Sequence, residues 1–129
     1  MGQLDRHHIL HYRQEWTLRP GAEKLRESRP LVPTLPREVH NEIHANCPPV
    51  PLLGYHALAR TVKLYRPLMG DTLGSMDNLM FAIEEAADHP RSHPIERDLA
   101  ELAIQAVDLQ RPYIKEGLQH GNTTVEIAA

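Results

Sequence analysis

The chain has 129 residues, enough for one domain with a real core and too few for two large ones. A formal net charge of −3 excludes a protein whose main work is coating nucleic acid, and no run approaches the roughly 20 apolar residues that cross a bilayer. Cys47 is the single cysteine and forms no intramolecular disulfide, and Met1 to Arg19 lacks an apolar signal-peptide core, so a reducing cytoplasm is the expected home, with no membrane partner.

The adjacent pair His7-His8 leads into Ile9-Leu10-His11-Tyr12, which has the bulk for a short strand. Gln14-Glu15-Trp16-Thr17-Leu18 reads as its partner strand or as a short helix, Arg19-Pro20-Gly21 as a turn, and Ala22 to Glu27 as a turn or two of helix stopped by Pro30. Leu31-Val32 is a second strand candidate. Thr34-Leu35-Pro36 then makes a helix entrance, with a hydroxyl to cap exposed amides and a proline tolerated in the first turn. That helix should run from about Pro36 to Ala45 and bury Val39 and Ile43, which sets His40 and His44 side by side beside the buried stripe. Cys47-Pro48-Pro49-Val50-Pro51 reads as an extended connector, because proline removes backbone donors and fixes the chain out of the helical state.

Three helices are expected beyond it. Tyr55, Leu58, Val62 and Tyr65 recur at helical spacing until Pro67. Ser75 is the expected cap of a second helix, in which Met76, Leu79, Met80, Ile83 and Ala87 share a face that closes near His89-Pro90. Ser92-His93-Pro94 opens a third, with Ile95, Leu99, Leu102, Ala106 and Leu109 as a heptad-like seam until Pro112 kinks or stops it. Residues 121–129 are expected to fray. The fold class is therefore α+β, mostly α: a ββα region over 1–48 with a helical bundle over 52–120 packed on it.

Charge divides the chain in the same place. Up to Pro48 seven basic side chains face six acids, whereas the remainder carries seven against eleven. Any phosphate contact is expected in the first third, and the acidic helical region is the candidate surface for a protein partner.

With nine histidines in the chain, neither the adjacent pair nor the i,i+4 pair is informative alone. Their joint arrangement is. A pair beside a strand, a second strand, and a capped helix with the other pair make a ββα unit that brings four imidazoles toward one point, where they can hold a divalent cation and supply a base. The plainer alternative has His40 and His44 bonded to a carboxylate such as Glu38 or Asp5, with His7-His8 as polar N-terminal residues. Cys47, one turn after His44, reads as a buried thiol or an added soft ligand.

The stretches Arg6-His7-His8-Ile9 and Leu31 to His44 resemble the HNH, or ββα-metal (His-Me finger), nuclease family, most closely its colicin-type DNase branch. There a His-His pair precedes the hairpin and a His-x-x-x-His pair lies on the helix. The resemblance covers about the first third of the chain. It implies that His7, His40 and His44 bind one divalent metal ion (Zn, Ni, Mg or Mn), that His8 is the general base, and that Arg6 or Arg37 holds the phosphate. Asp5 falls where such sites can carry an acidic residue. The implied activity is a metal-dependent endonuclease acting on DNA, with the helical layer positioning DNA or forming a homodimer. One position departs from the pattern: the asparagine that gives HNH its middle letter, and that braces the loop of the catalytic histidine in the family, is Leu31 here. The alternative function is a catalytically degenerate metal-binding protein of phage or mobile-element type that engages a protein partner.

Overall fold

The computed structural model describes residues 2–10, 25–51, 70–88 and 94–128. In chain order these form strand β1 (Leu4–Arg6), a 3-10 turn (Arg29–Leu31), strand β2 (Thr34–Pro36), helix α1 (Arg37–Asn46), helix α2 (Thr72–Ala87) and helix α3 (Pro94–Ala128). This is an α+β fold, mostly α, with a small antiparallel sheet at its N-terminus.

The sheet lies on either side of the positions the sequence favoured. β1 pairs with β2 in the register Leu4 with Pro36, Asp5 with Leu35 and Arg6 with Thr34, so the ladder precedes the His pair. Ile9 and Leu10 form a bend and place their bulk in the core, both fully buried, instead of in a ladder. Leu31 closes the 3-10 turn, whose local bonds run from the amides of Leu31 and Val32 to the carbonyls of Ser28 and Arg29. Pro30, with its φ fixed near the helical value, favours that turn over a strand. Irregular pairing still continues past β1, since the His7 amide donates to the Pro33 carbonyl at 2.9 Å and the Ile9 amide to that of Leu31 at 3.1 Å.

α1 begins at Arg37, directly after β2, so Thr34 belongs to the strand and is not the cap. The Arg37 amide is satisfied across the sheet by the Gln3 carbonyl at 2.8 Å, in place of a side-chain cap. Val39 and Ile43 are buried as expected, and the helix ends where Cys47 turns extended ahead of Pro48 and Pro49.

α2 starts earlier than Ser75. Asp71 is its cap, accepting from the Gly74 amide at 2.6 Å, and Gly70 just before it takes a φ of 106°, a conformation that favours glycine. Ser75 is instead buried inside the helix. Met76, Leu79, Ile83 and Ala87 form the buried face, with Met80 packed at its margin.

α3 packs along α2 and extends to β2 and α1. Its inward face is not the expected leucine seam. Ala100, Ala103, Ala106, Val107, Gln110 and Ile114 are buried, while Leu102 and Leu109 are half-exposed at 53% and 50%. The reason is steric: α2 presents Met76, Leu79 and Ile83, so α3 meets it with small side chains. Arg111 of α3 adds ion pairs to Asp77 of α2 and to Asp108. The backbone stays helical through Pro112 to Ala128, past the expected stop. Among the described residues no helix is long and apolar enough to cross a membrane.

Gly117 is where α3 meets the ββα unit. A Cβ there would lie 2.9 Å from Leu35 Cδ2 and 3.3 Å from Val39 Cγ1, and Leu35 is fully buried with little room to yield. Gly117→Val should therefore destabilise the fold by about 1–3 kcal/mol, the usual range for overpacking, read as a lower urea midpoint.

The expected elements over 11–24, the first expected helix over 55–65 and the opening Ser92-His93 lie outside the described residues.

Candidate metal centre

Strand alternation sorts the N-terminal side chains. Asp5 and His7 point one way, Arg6 and His8 the other, because successive strand residues face opposite sides. Arg6 and His8 accordingly both meet Glu27, at 3.8 Å and 3.0 Å, whereas Asp5 meets Arg37 and His40 of α1. His7 joins His40 and His44. The ring centroids of His7 lie 5.1 Å from His40 and 5.8 Å from His44, and the helix pair is 4.6 Å apart. One nitrogen from each ring lies within 4.8 Å of the others, so these three histidines are placed to hold a metal ion. The fourth imidazole, His8, is not in this cluster and is held by Glu27.

Hydrogen bonds to Asp5 and Gln110 fix which nitrogen His40 and His7 offer. His40 Nδ1 is 3.2 Å from Asp5 Oδ2; an ionised carboxylate only accepts, so Nδ1 carries the hydrogen and Nε2 has the lone pair. His44 Nε2 sits 2.9 Å from that atom. That bond is therefore donated by His44 Nε2–H, and this ring must carry its hydrogen on Nδ1 before Nε2 can join an ion. Two ligand nitrogens at tetrahedral bonds of ~2.0 Å stand about 3.3 Å apart, so the positions themselves need only a small outward shift. His7 is fully buried, and its Nε2 meets Gln110 Oε1 at 2.7 Å.

Asp5 anchors this side of the site. Arg37 grips it with Nε and Nη2, each at 3.2 Å, and His40 adds a third bond. The Arg37 guanidinium, followed by His40, holds the Asp5 carboxyl below the usual carboxylate range, and Asp5 pushes Arg37 up in turn. Burial, with His40 adding to it, lowers the His44 pKa, which keeps that ring a neutral donor to lower pH than an ordinary imidazole. Because carboxylate partners orient histidine ligands, Asp5→Ala should weaken metal binding roughly 10–100-fold. Isothermal titration with zinc checks this; an unchanged affinity would mean that Asp5 serves only Arg37.

Burial grades across the cluster, from His7 (0%) through part-buried His40 to exposed His44. The centre thus opens to solvent on one side. Cys47 stays outside it: the thiol is buried, donates to the Leu109 carbonyl at 3.5 Å, and is pushed up in pKa by that burial. Two residues that the sequence reading missed complete the surroundings, Gln110 behind His7 and Glu27 beside His8. Burial raises the Glu27 carboxyl, but bonds and charge from His8 and Arg26 outweigh it and hold the group below its ordinary value. The side chains of His11, His56, His89, His93 and His120 lie outside the described residues.

Comparison of the chain with protein-family models, with curated proteins and with solved structures gives no match.

Proposed function

We propose that this protein is a metal-dependent endonuclease of HNH type, which cleaves phosphodiester bonds in DNA with water activated by His8. The observation that carries the reading is the convergence of His7, His40 and His44, one nitrogen of each within 4.8 Å of the others, beside a two-stranded sheet and its helix. Three neutral imidazoles with no carboxylate among them leave a divalent ion its full charge and open positions, an arrangement of hydrolytic more than of structural sites. Zn, Ni and Mn suit such donors better than Mg, which prefers oxygen. An ion held by His7, His40 and His44 would supply charge to offset that building on the phosphate and the leaving oxygen.

The chain's own residues supply the rest. His8 donates Nε2–H to Glu27, so the neutral ring carries its lone pair on Nδ1, where it takes a proton from water. Glu27 orients the ring and stabilises it once charged. Arg6 and Arg37, with side chains 68% and 53% exposed, would hold the phosphate by exchanging their carboxylate partners for it.

A second reading rests on Leu31. It is fully buried in the core at the position of the family's middle asparagine, so no polar brace projects from there. That favours a protein that keeps the metal unit without catalysis and engages a protein partner through its acidic helical region. Plasmid nicking with Zn, Ni, Mn or Mg, set beside metal analysis of the purified chain, separates the two. Nicking that depends on added metal supports the endonuclease; bound metal without nicking supports the second reading; no bound metal removes both.

A further inference from the structure

Gln110 is a buried amide on the otherwise apolar face of α3, 103 positions from the histidine it contacts, and both residues are fully buried. Its two ends are engaged. Nε2 donates to the Ile9 carbonyl at 3.1 Å, and Oε1 lies 2.7 Å from His7 Nε2. The opposite amide orientation would set Oε1 against the Ile9 carbonyl, two acceptors face to face, so the bond to Ile9 fixes Oε1 toward His7. An amide oxygen only accepts, and His7 must therefore present Nε2–H to it.

We propose that Gln110 is a positioning residue of the metal centre: it locks His7 in the Nε2–H tautomer, so that Nδ1 is the atom His7 offers to the ion. The inference rests on the metal-centre reading above and extends it, because it makes the long helix α3 part of a site whose three histidines come from the first 44 residues. Asp5 does for His40 what Gln110 does for His7, with the ring nitrogens exchanged: Nδ1–H is bonded and Nε2 faces the cluster. A metal-ligating histidine generally donates its other ring hydrogen in this way, and loss of the acceptor weakens binding about 10–100-fold. The bond to Ile9 also ties the bend after His7-His8 to α3, so a shift of that helix would move the ligand's backbone and its ring together.

The test uses the full-length, 15N-labelled chain without metal, at a pH above the imidazole range. Long-range proton–nitrogen spectra of the histidine rings report each tautomer directly. The wild type should show His7 as Nε2–H; Gln110→Leu, similar in volume and without a polar atom, should lose that preference. In a cobalt titration followed by visible absorption, Gln110→Leu should bind ~10–100-fold more weakly with altered ligand-field bands. The proposal is overturned by a wild-type His7 in the Nδ1–H form, or by a Gln110→Leu protein with unchanged tautomer and cobalt affinity. The wild-type spectrum needs no variant to fold. A wild type that takes up no cobalt would end the metal reading, and the tautomer spectra would still decide whether Gln110 orients His7.

Discussion

Replacing His44 with alanine should abolish high-affinity metal binding and leave the fold intact. His44 is exposed, beside the buried stripe of Val39 and Ile43 and not part of it, so its truncation leaves the core side chains in place. Its ring nevertheless completes the cluster, with Nε2 2.9 Å from that of His40. Loss of one ligand of three should exceed the ~10–100-fold effect of losing an orienting partner, which sets the expected fall in affinity above about 100-fold. Thermal melts give an independent reading. A ligand at a hundred times its Kd stabilises the native state by about 2.7 kcal/mol, roughly 10 °C in Tm for a domain of this size. Wild type should gain that much with saturating zinc, and His44→Ala should gain almost nothing. Proton competition gives the sign of the pH effect: the three imidazoles must be neutral to bind, so affinity falls as pH falls and more of them carry a proton. The lowered pKa of His44 shifts its own loss to more acid solution. Equal zinc-induced shifts in wild type and variant would place the ion elsewhere and end the three-histidine assignment.

What the sequence made legible was local. Val39 and Ile43 mark the inner face of α1 by spacing alone, and His40 and His44 follow from it one position on. The alternation of Asp5 and His7 against Arg6 and His8 emerges only with the observed strand, and it explains why one histidine of the adjacent pair joins the cluster and the other meets Glu27. The ladder itself was not legible. Leu4-Asp5-Arg6 has no apolar alternation, and Leu4 is 62% exposed; backbone pairing and the bonds of Asp5 to α1 hold it in place. Ile9 and Leu10, whose bulk suggested a strand, contribute that bulk to the core. On α3 the larger residues gave a seam displaced from the observed one, because the tight packing with α2 selects alanine over leucine. The displacement had a consequence for the site. A seam through Leu102, Ala106 and Leu109 leaves Gln110 off the inner face, and a polar residue on a solvated face attracts no notice. Drawn through Ala103, Val107 and Ile114, it contains one buried amide that needs a partner.

His8→Ala should lower metal-dependent DNA nicking by a factor of roughly 10²–10⁴, the range for loss of a general base, at unchanged metal affinity. The separation of the two effects follows from the geometry. His8 lies outside the three-histidine cluster, and its Nε2 bonds Glu27. Glu27 is itself fixed by Arg26, a side chain only 1% exposed, through a 3.2 Å bond, so the carboxylate has a rigid support from which to orient the ring. Glu27→Gln retains an oxygen that can accept from Nε2–H but loses the charge that favours the imidazolium formed on proton transfer. It should slow nicking less than His8→Ala does, again with zinc affinity unchanged. The order of the three proteins is therefore the informative result: wild type fastest, Glu27→Gln intermediate, His8→Ala slowest, all with equal metal content. Nicking that survives His8→Ala at the wild-type rate would remove His8 as the base and leave the metal centre standing. A variant that loses metal together with activity would instead place His8 among the ligands, against its placement beside Glu27 here.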